Sequence, residues 1–296
     1  VDLNSDIAEG FGAYTCGDDE AMLGIVTSCN VACGFHAGDP EIMARTFASA
    51  RAKGVACGAH PGFPDLWGFG RRRIPFSTGE IERLVAYQVG AAQALATYAG
   101  AKITYVKCHG ALGNLCEVDR PAAEAVGRAI KAVDPKLVWL TIAAGEQVRA
   151  AETVGLVGVA EIFADRGYTE EGHLIPRGKP GAMILDPDEA AARMVEMVRE
   201  GAIVTASGKR IPTAIGSICV HGDSAHAVES ARRVRAGLEA AGVAVFATPL
   251  SGATIPGRSS RYYSESEVAA IRVEAYQKGS DSARQFADQQ LVDFRA

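Results

Sequence analysis

The run CNVACGFHAGDP, residues 29–40, changes character in its middle. Up to Cys33 it reads as a short buried strand. Gly34 then breaks the apolar run, His36 and Asp39 follow beside Gly38, and Pro40 stands where a helix takes its first turn. A strand that empties into a polar, glycine-flanked loop and then a helix is the βα joint on which α/β proteins mount their chemistry.

The joint recurs along the chain. Residues 1–4 read as a first strand followed at once by Asp6 and Glu9, and Asp18 or Asp19 caps a helix running to about residue 28. Residues 40–53 make the next helix, stopped by Gly54. Strands at 55–59, 103–106, 137–142, 157–163 and 215–220 deliver His60, then Lys107 and His109, then a small AAG turn, then Asp165 and Arg166, then His221 and Asp223. Helices are expected at 78–99, 122–133, 146–153, 187–200 and 225–241, and a last strand at 243–246. A ribbon is expected within 203–212, around Ser207 and Gly208. Seven or eight strands alternating with helices call for parallel pairing with right-handed crossovers. The expected fold is α/β, a closed or nearly closed, distorted (β/α) barrel over residues 1–254, with a doubly wound open sheet as the alternative. Residues 255–296 change composition and read as a linker and helical extension, with a Ser264–Glu267 capping box.

Composition narrows the function. With 296 residues, 48% of them apolar, the chain can bury a large core. A net charge of −5 and no basic track beyond Arg71, Arg72 and Arg73 argue against nucleic acid. No apolar run approaches the roughly 20 residues of a membrane span. The seven cysteines are odd in number, scattered and mostly set in apolar runs, as reduced cysteines of a cytoplasmic protein are. Gly208 and Lys209 make no phosphate-binding loop, since Arg210 follows and Ile203 stands where glycine is needed.

Of six histidines, His36, His60, His109 and His221 are expected within about two residues of strand C-terminal ends, each beside Gly or Pro. In a parallel barrel all such ends open on one face. The same ends supply Asp6, Glu9, Asp39, Lys107, Asp165, Arg166 and Asp223. Imidazoles and acids to activate water, with a lysine to hold an oxyanion, suit hydrolysis at a carbonyl centre. A divalent metal on Asp6, His36, His60 and His109 is an open alternative. His173 and His226 are expected to be structural.

Taken together, D-L-N-S-D at 2–6 with Glu9, residues 30–39, GAHPGFPD at 58–65 with GFGR at 68–71, Val106–Lys107 with HGAL at 109–112, FADRGY at 163–168, Pro176–Arg177 and VHGD at 220–223 resemble the 5-oxoprolinase A-subunit (LamB/YcsF) family. The resemblance implies a deacetylase-like barrel and a component of an enzyme that opens the lactam 5-oxoproline to glutamate with ATP. It also implies partner subunits B and C that share the handling of ATP, and it leaves homo-oligomerisation open. By analogy Asp6, Glu9, His36, His60, Lys107, His109 and Asp223 are the expected catalytic set. Asn4, Asp39, Arg71, Asp165, Arg166, Arg177 and His221 are expected to bind substrate or phosphate. Ala8 replaces the family's usual Gly, Cys108 a Pro, and Gly113 a Tyr beside Asn114, so a different lactam or cyclic imide is an alternative substrate. The readings from other classes are a metal-dependent amidohydrolase acting alone and a scaffold subunit.

Overall fold

A computed structural model describes residues 1–224 and 226–247. The expected linker and extension at 255–296 lie outside the described residues. Seven parallel strands close into a barrel: β1 (Asp2–Ile7), β2 (Ser28–Ala32), β3 (Ala56–His60), β4 (Ile103–Lys107), β5 (Val138–Ile142), β6 (Gly158–Phe163) and β9 (Ser217–Cys219). Each pairs with the next in sequence, and β9 closes the ring between β6 and β1, with Ser217 opposite both Glu161 and Asp2. A two-stranded ribbon, β7 (Ala202–Val204) with β8 (Arg210–Pro212), stands apart where the sequence placed it.

The helices α1 (Asp19–Leu23), α2 (Pro40–Lys53), α3 (Thr78–Tyr98), α4 (Gly110–Val118), α5 (Arg120–Val133), α6 (Glu146–Val154), α7 (Pro187–Glu200) and α8 (Ala227–Ala240) cover the outside. Their ends follow sequence chemistry. Asp39 caps α2 with Pro40 at its first position, Ser77 and Glu80 form a capping box on α3, and Gly54 ends α2 at φ 69°. The main apolar core fills the layer between strands and helices, from Leu3 and Phe47 to Trp139 and Ile162.

The barrel interior is different. Asp2, Asn4 and Asp6 point inward from β1, alternating with outward Leu3 and Ile7. Asp2 sits on the floor, accepting from Thr27 Oγ1 at 2.7 Å, from Ser28 Oγ at 2.8 Å and from Ser217 Oγ. Tyr105, Val138 and Leu140, with Val159 against them, form an apolar patch inside. The Tyr105 ring lies where a side chain at Gly58 would project, which is why β3 carries glycine there.

Three expectations are corrected. The strand expected at 243–246 is not part of the barrel, because β2 and β9 already occupy both edges of β1; the segment meets β1 only at Val1, through Ala244 O and Phe246 N, while Val243 N bonds back to Leu238 O of α8. The helix expected from Asp18 or Asp19 to about residue 28 ends at Leu23, and Gly24 caps it. α4 has no counterpart in the sequence reading, since Gly110 and Gly113 weaken its helical signal. Burial of Ala111, Leu112, Leu115 and Cys116 stabilises it instead. All seven cysteines are free, and among the described residues no helix is long and apolar enough to cross a membrane.

Candidate active site

The C-terminal strand ends surround a cavity of about 380 Å³. Its floor is made by Asp6, Glu9, Lys107 and His109, its apolar wall by Ile142, Phe163 and Leu174, and its rim by Arg71 and Arg177.

Lys107 closes β4 and is 3% exposed. Its ammonium lies 2.9 Å from Asp6 Oδ1, 3.3 Å from Glu161 Oε2, 3.3 Å from Asn4 Oδ1 and 3.0 Å from Cys219 Sγ. Burial opposes its charge, but the surrounding Asp6, Cys219 and Glu161 hold its pKa well above the ordinary lysine value. Asp6, bonded also by Asn30 Nδ2 at 2.7 Å, stays ionised: burial alone would raise it, and His60 and Lys107 outweigh burial. Glu161 loses that contest. Burial pushes it up to about 7, and its Oε1 has no hydrogen-bond partner.

Glu9 follows Ala8, which takes a left-handed φ of 60° while its N–H donates to Asp19 Oδ2 at 3.0 Å. That turn sends the Glu9 carboxylate inward. Its Oε1 lies 3.1 Å from His36 Nε2 and 3.2 Å from His109 Nδ1. Burial would raise the Glu9 pKa, yet the His109 and His36 imidazoles hold it well below the usual carboxylate range. His36 stacks on His109 at 3.6 Å, and burial pushes it down to about 3. His60 is also lowered by burial, against the opposing pull of Asp6.

Gly70 packs against this cluster at φ 63°. A Cβ there would come within 2.6 Å of His36 Cβ and 2.7 Å of His109 Cδ2. Gly70→Ala is expected to cost about 1–2 kcal/mol from the left-handed backbone alone. By displacing His109 it should also lower turnover roughly 10–100-fold. Thermal melts and steady-state rates check both.

His221 stacks on Phe163, and its Nδ1 lies 2.8 Å from both Asp165 oxygens. Burial would lower its pKa, but Asp165 raises it above the ordinary value. The charged pair therefore stabilises the fold fully below the ordinary histidine range, and this contribution is lost as pH rises through the raised folded value. Asp165→Asn should lower the His221 midpoint in an NMR titration and destabilise the protein at pH 5–6 more than at pH 9.

The LamB/YcsF family model matches residues 1–252. The chain belongs to the LamB/YcsF family. It is 66% identical over 245 residues to the A subunit of 5-oxoprolinase from Azorhizobium caulinodans, covering 83% of this chain and 97% of the relative. The protein of the same name from Gluconobacter oxydans is 62% identical, over 83% of this chain and 96% of that one. Among solved structures it matches the "Lactam Utilization Protein" of Thermus thermophilus with a TM-score of 0.79 and 42% identity, over 83% of this chain and 99% of that one.

In this LamB/YcsF member the residues singled out from sequence are distributed as follows. Asp6, Glu9, Lys107, His109, His221, Arg71, Arg166 and Arg177 line the cavity. His36 and His60 lie directly beneath it, and His36 stands four residues beyond the end of β2 rather than within two. Asn4 is deeper in the barrel, 2.7 Å from Ser217 Oγ. Asp223 is at the rim, paired with Arg71 at 2.5 Å. Asp39 is placed elsewhere: its carboxylate accepts from Glu41 N, Ile42 N and Gly12 N, capping α2 outside the cavity lining. Arg166 is largely occupied by the Ala182 and Ile175 carbonyls, which pins the 165–186 excursion over the cavity. His173 lies 3.4 Å from Glu117, whose Oε1 also accepts from Leu174 N at 2.9 Å. Glu161, Asn30 and Cys219 escaped the sequence reading. The available signal was a lone Glu in the apolar run of residues 157–163, which a barrel interior explains.

Proposed function

We propose that this chain is the lactam-binding subunit of an ATP-dependent 5-oxoprolinase that hydrolyses 5-oxo-L-proline to L-glutamate. The buried Lys107 ammonium at the base of a closed-sided cavity, with ionised Asp6 and Glu9 and the imidazoles of His60 and His109 beside it, is the observation that carries this reading. The names of relatives at 62–66% identity support it. Lactam opening is slow because the amide is resonance-stabilised; phosphorylating the lactam oxygen with ATP makes the ring carbon electrophilic to water. Lys107 would hold the oxygen or its phosphate, Glu9 or an imidazole would take the proton from water, and Arg177 and Arg71 would hold anionic groups. Partner subunits B and C would supply nucleotide binding, for which this chain offers no phosphate loop. Purifying the chain with those partners and measuring ATP-dependent glutamate release tests the reading. Turnover of a panel of lactams with none of it ATP-dependent, or none on 5-oxoproline, would overturn it. Cys108 and Gly113 sit on the cavity wall, so larger lactams belong in that panel.

A further inference from the structure

Two histidines beneath the cavity have their tautomers set by backbone carbonyls. His60 Nδ1 lies 2.8 Å from Lys107 O, and His109 Nε2 lies 2.7 Å from Phe69 O. A carbonyl only accepts, so each of those ring nitrogens carries the hydrogen. In the neutral rings the other nitrogens are then bare lone pairs. These two, His60 Nε2 and His109 Nδ1, face each other at 3.1 Å, with Glu9 Oε1 at 4.0 Å from the first and 3.2 Å from the second, and Asp6 Oδ2 at 3.3 Å from His60 Nε2 on its other side. Acceptors converging without a hydrogen between them repel one another, so His109 beside Glu9 and His60 beside Asp6 support these carboxylates only when a cation, a proton or a metal ion, lies among them.

The geometry suits a metal ion. Nitrogen and oxygen ligands at about 2.0–2.2 Å from a tetrahedral zinc ion lie roughly 3.3–3.6 Å from one another. The three separations here bracket that spacing. The His60 and His109 rings are crossed at 89°, so a single point can lie in both ring planes, as imidazole ligation requires. His36 and His109 are stacked with 6° between planes, so no ion can lie in the plane of both. His36 instead donates from Nε2 to Glu9 Oε1 at 3.1 Å, orienting the carboxylate from outside. Asp6, the other acid read as a ligand from sequence, sits with Cys219 and His221 in a second cluster that already holds a cation, the Lys107 ammonium. Among the described residues no lysine or arginine pairs with Glu9. Glu9 and His109 line the cavity, so a fourth ligand position would face it.

We propose that Glu9, His60 and His109 form a three-ligand site for a divalent transition metal of the zinc class, with the remaining coordination position open to the cavity. Such a set, two imidazoles and a carboxylate with one open position, is the pattern of catalytic rather than structural zinc. The inference goes beyond the lactam reading, because occupancy is measured without partners or turnover and either reading can fail alone.

The test is titration of the chelator-stripped chain with Zn²⁺ and Co²⁺. One equivalent is expected to bind, with the intense visible absorption of four-coordinate Co²⁺. Glu9→Gln and His60→Gln should lose stoichiometric binding while keeping the native circular dichroism, and His36→Gln should keep one equivalent with affinity about 10–100-fold weaker. Zinc-edge X-ray absorption of the loaded wild-type chain needs no variant and should show two imidazoles. Absence of stoichiometric binding, which would leave a proton alone shared between His60 and His109, overturns the proposal, as does a spectrum without imidazole scattering.

Discussion

Lys107→Met is expected to cost about 3–5 kcal/mol of stability, because it leaves buried anionic charge without its cation. Asp6 would keep Asn30, the lowered His60 and, at 3.9 Å, His221 as partners, and Glu161 only Asn4. Turnover should fall on the order of 10²–10³-fold with the loss of the one buried ammonium on the cavity floor. Denaturant melts and single-turnover rates with the assembled enzyme separate the two effects. Adding Glu161→Gln to Lys107→Met should restore part of the stability above pH 7 but none of the turnover. Wild-type stability in the single variant would show that Lys107 is not the compensating charge.

The second large effect belongs to Glu161 itself. Its folded pKa, pushed up to about 7, lies above the ordinary carboxylate value, so the folded state binds the extra proton and stability declines as pH rises from the carboxylate range to about 7. Glu161→Gln removes this penalty. The variant should match wild type near pH 4 and exceed it by up to ~3 kcal/mol at pH 8. Melting temperatures across that range measure the difference, and a constant offset at all pH values would contradict it. The residue's retention of a destabilising carboxylate is explained by its place against Lys107, where it helps to keep the ammonium charged.

Much of the architecture was legible because it rests on local chemistry. Asp39 with Pro40, the Ser77–Glu80 box and the left-handed Gly54 announce helix ends within a few residues, and apolar runs between them give five of the seven barrel strands, β2 to β6, to within a residue, while β1 runs three residues beyond its expected end and β9 is shorter than expected. The segment at 243–246 is an apolar run like the barrel strands, yet it is excluded by something no local pattern encodes: β1 has only two edges, and both are taken. α4 was hidden for the opposite reason, its glycines masking a helix that packing stabilises.

The sequence by itself determined that acids, imidazoles and a lysine follow successive strands alternating with helices, which calls for parallel pairing and puts such ends on one side of the sheet; that the sheet closes into a barrel was decided by the structure. Which of them touch was decided only by the tertiary structure. Asp39 reads like a pocket acid but caps α2, and Glu161 reads like nothing in particular but borders the central ammonium. The crossed and stacked ring angles that separate His60 from His36 as metal ligands arise from strand stagger and from the close approach of Gly70. Distances of about 3 Å between residues a hundred positions apart are set by how the whole barrel closes, and spacing along the chain does not record them.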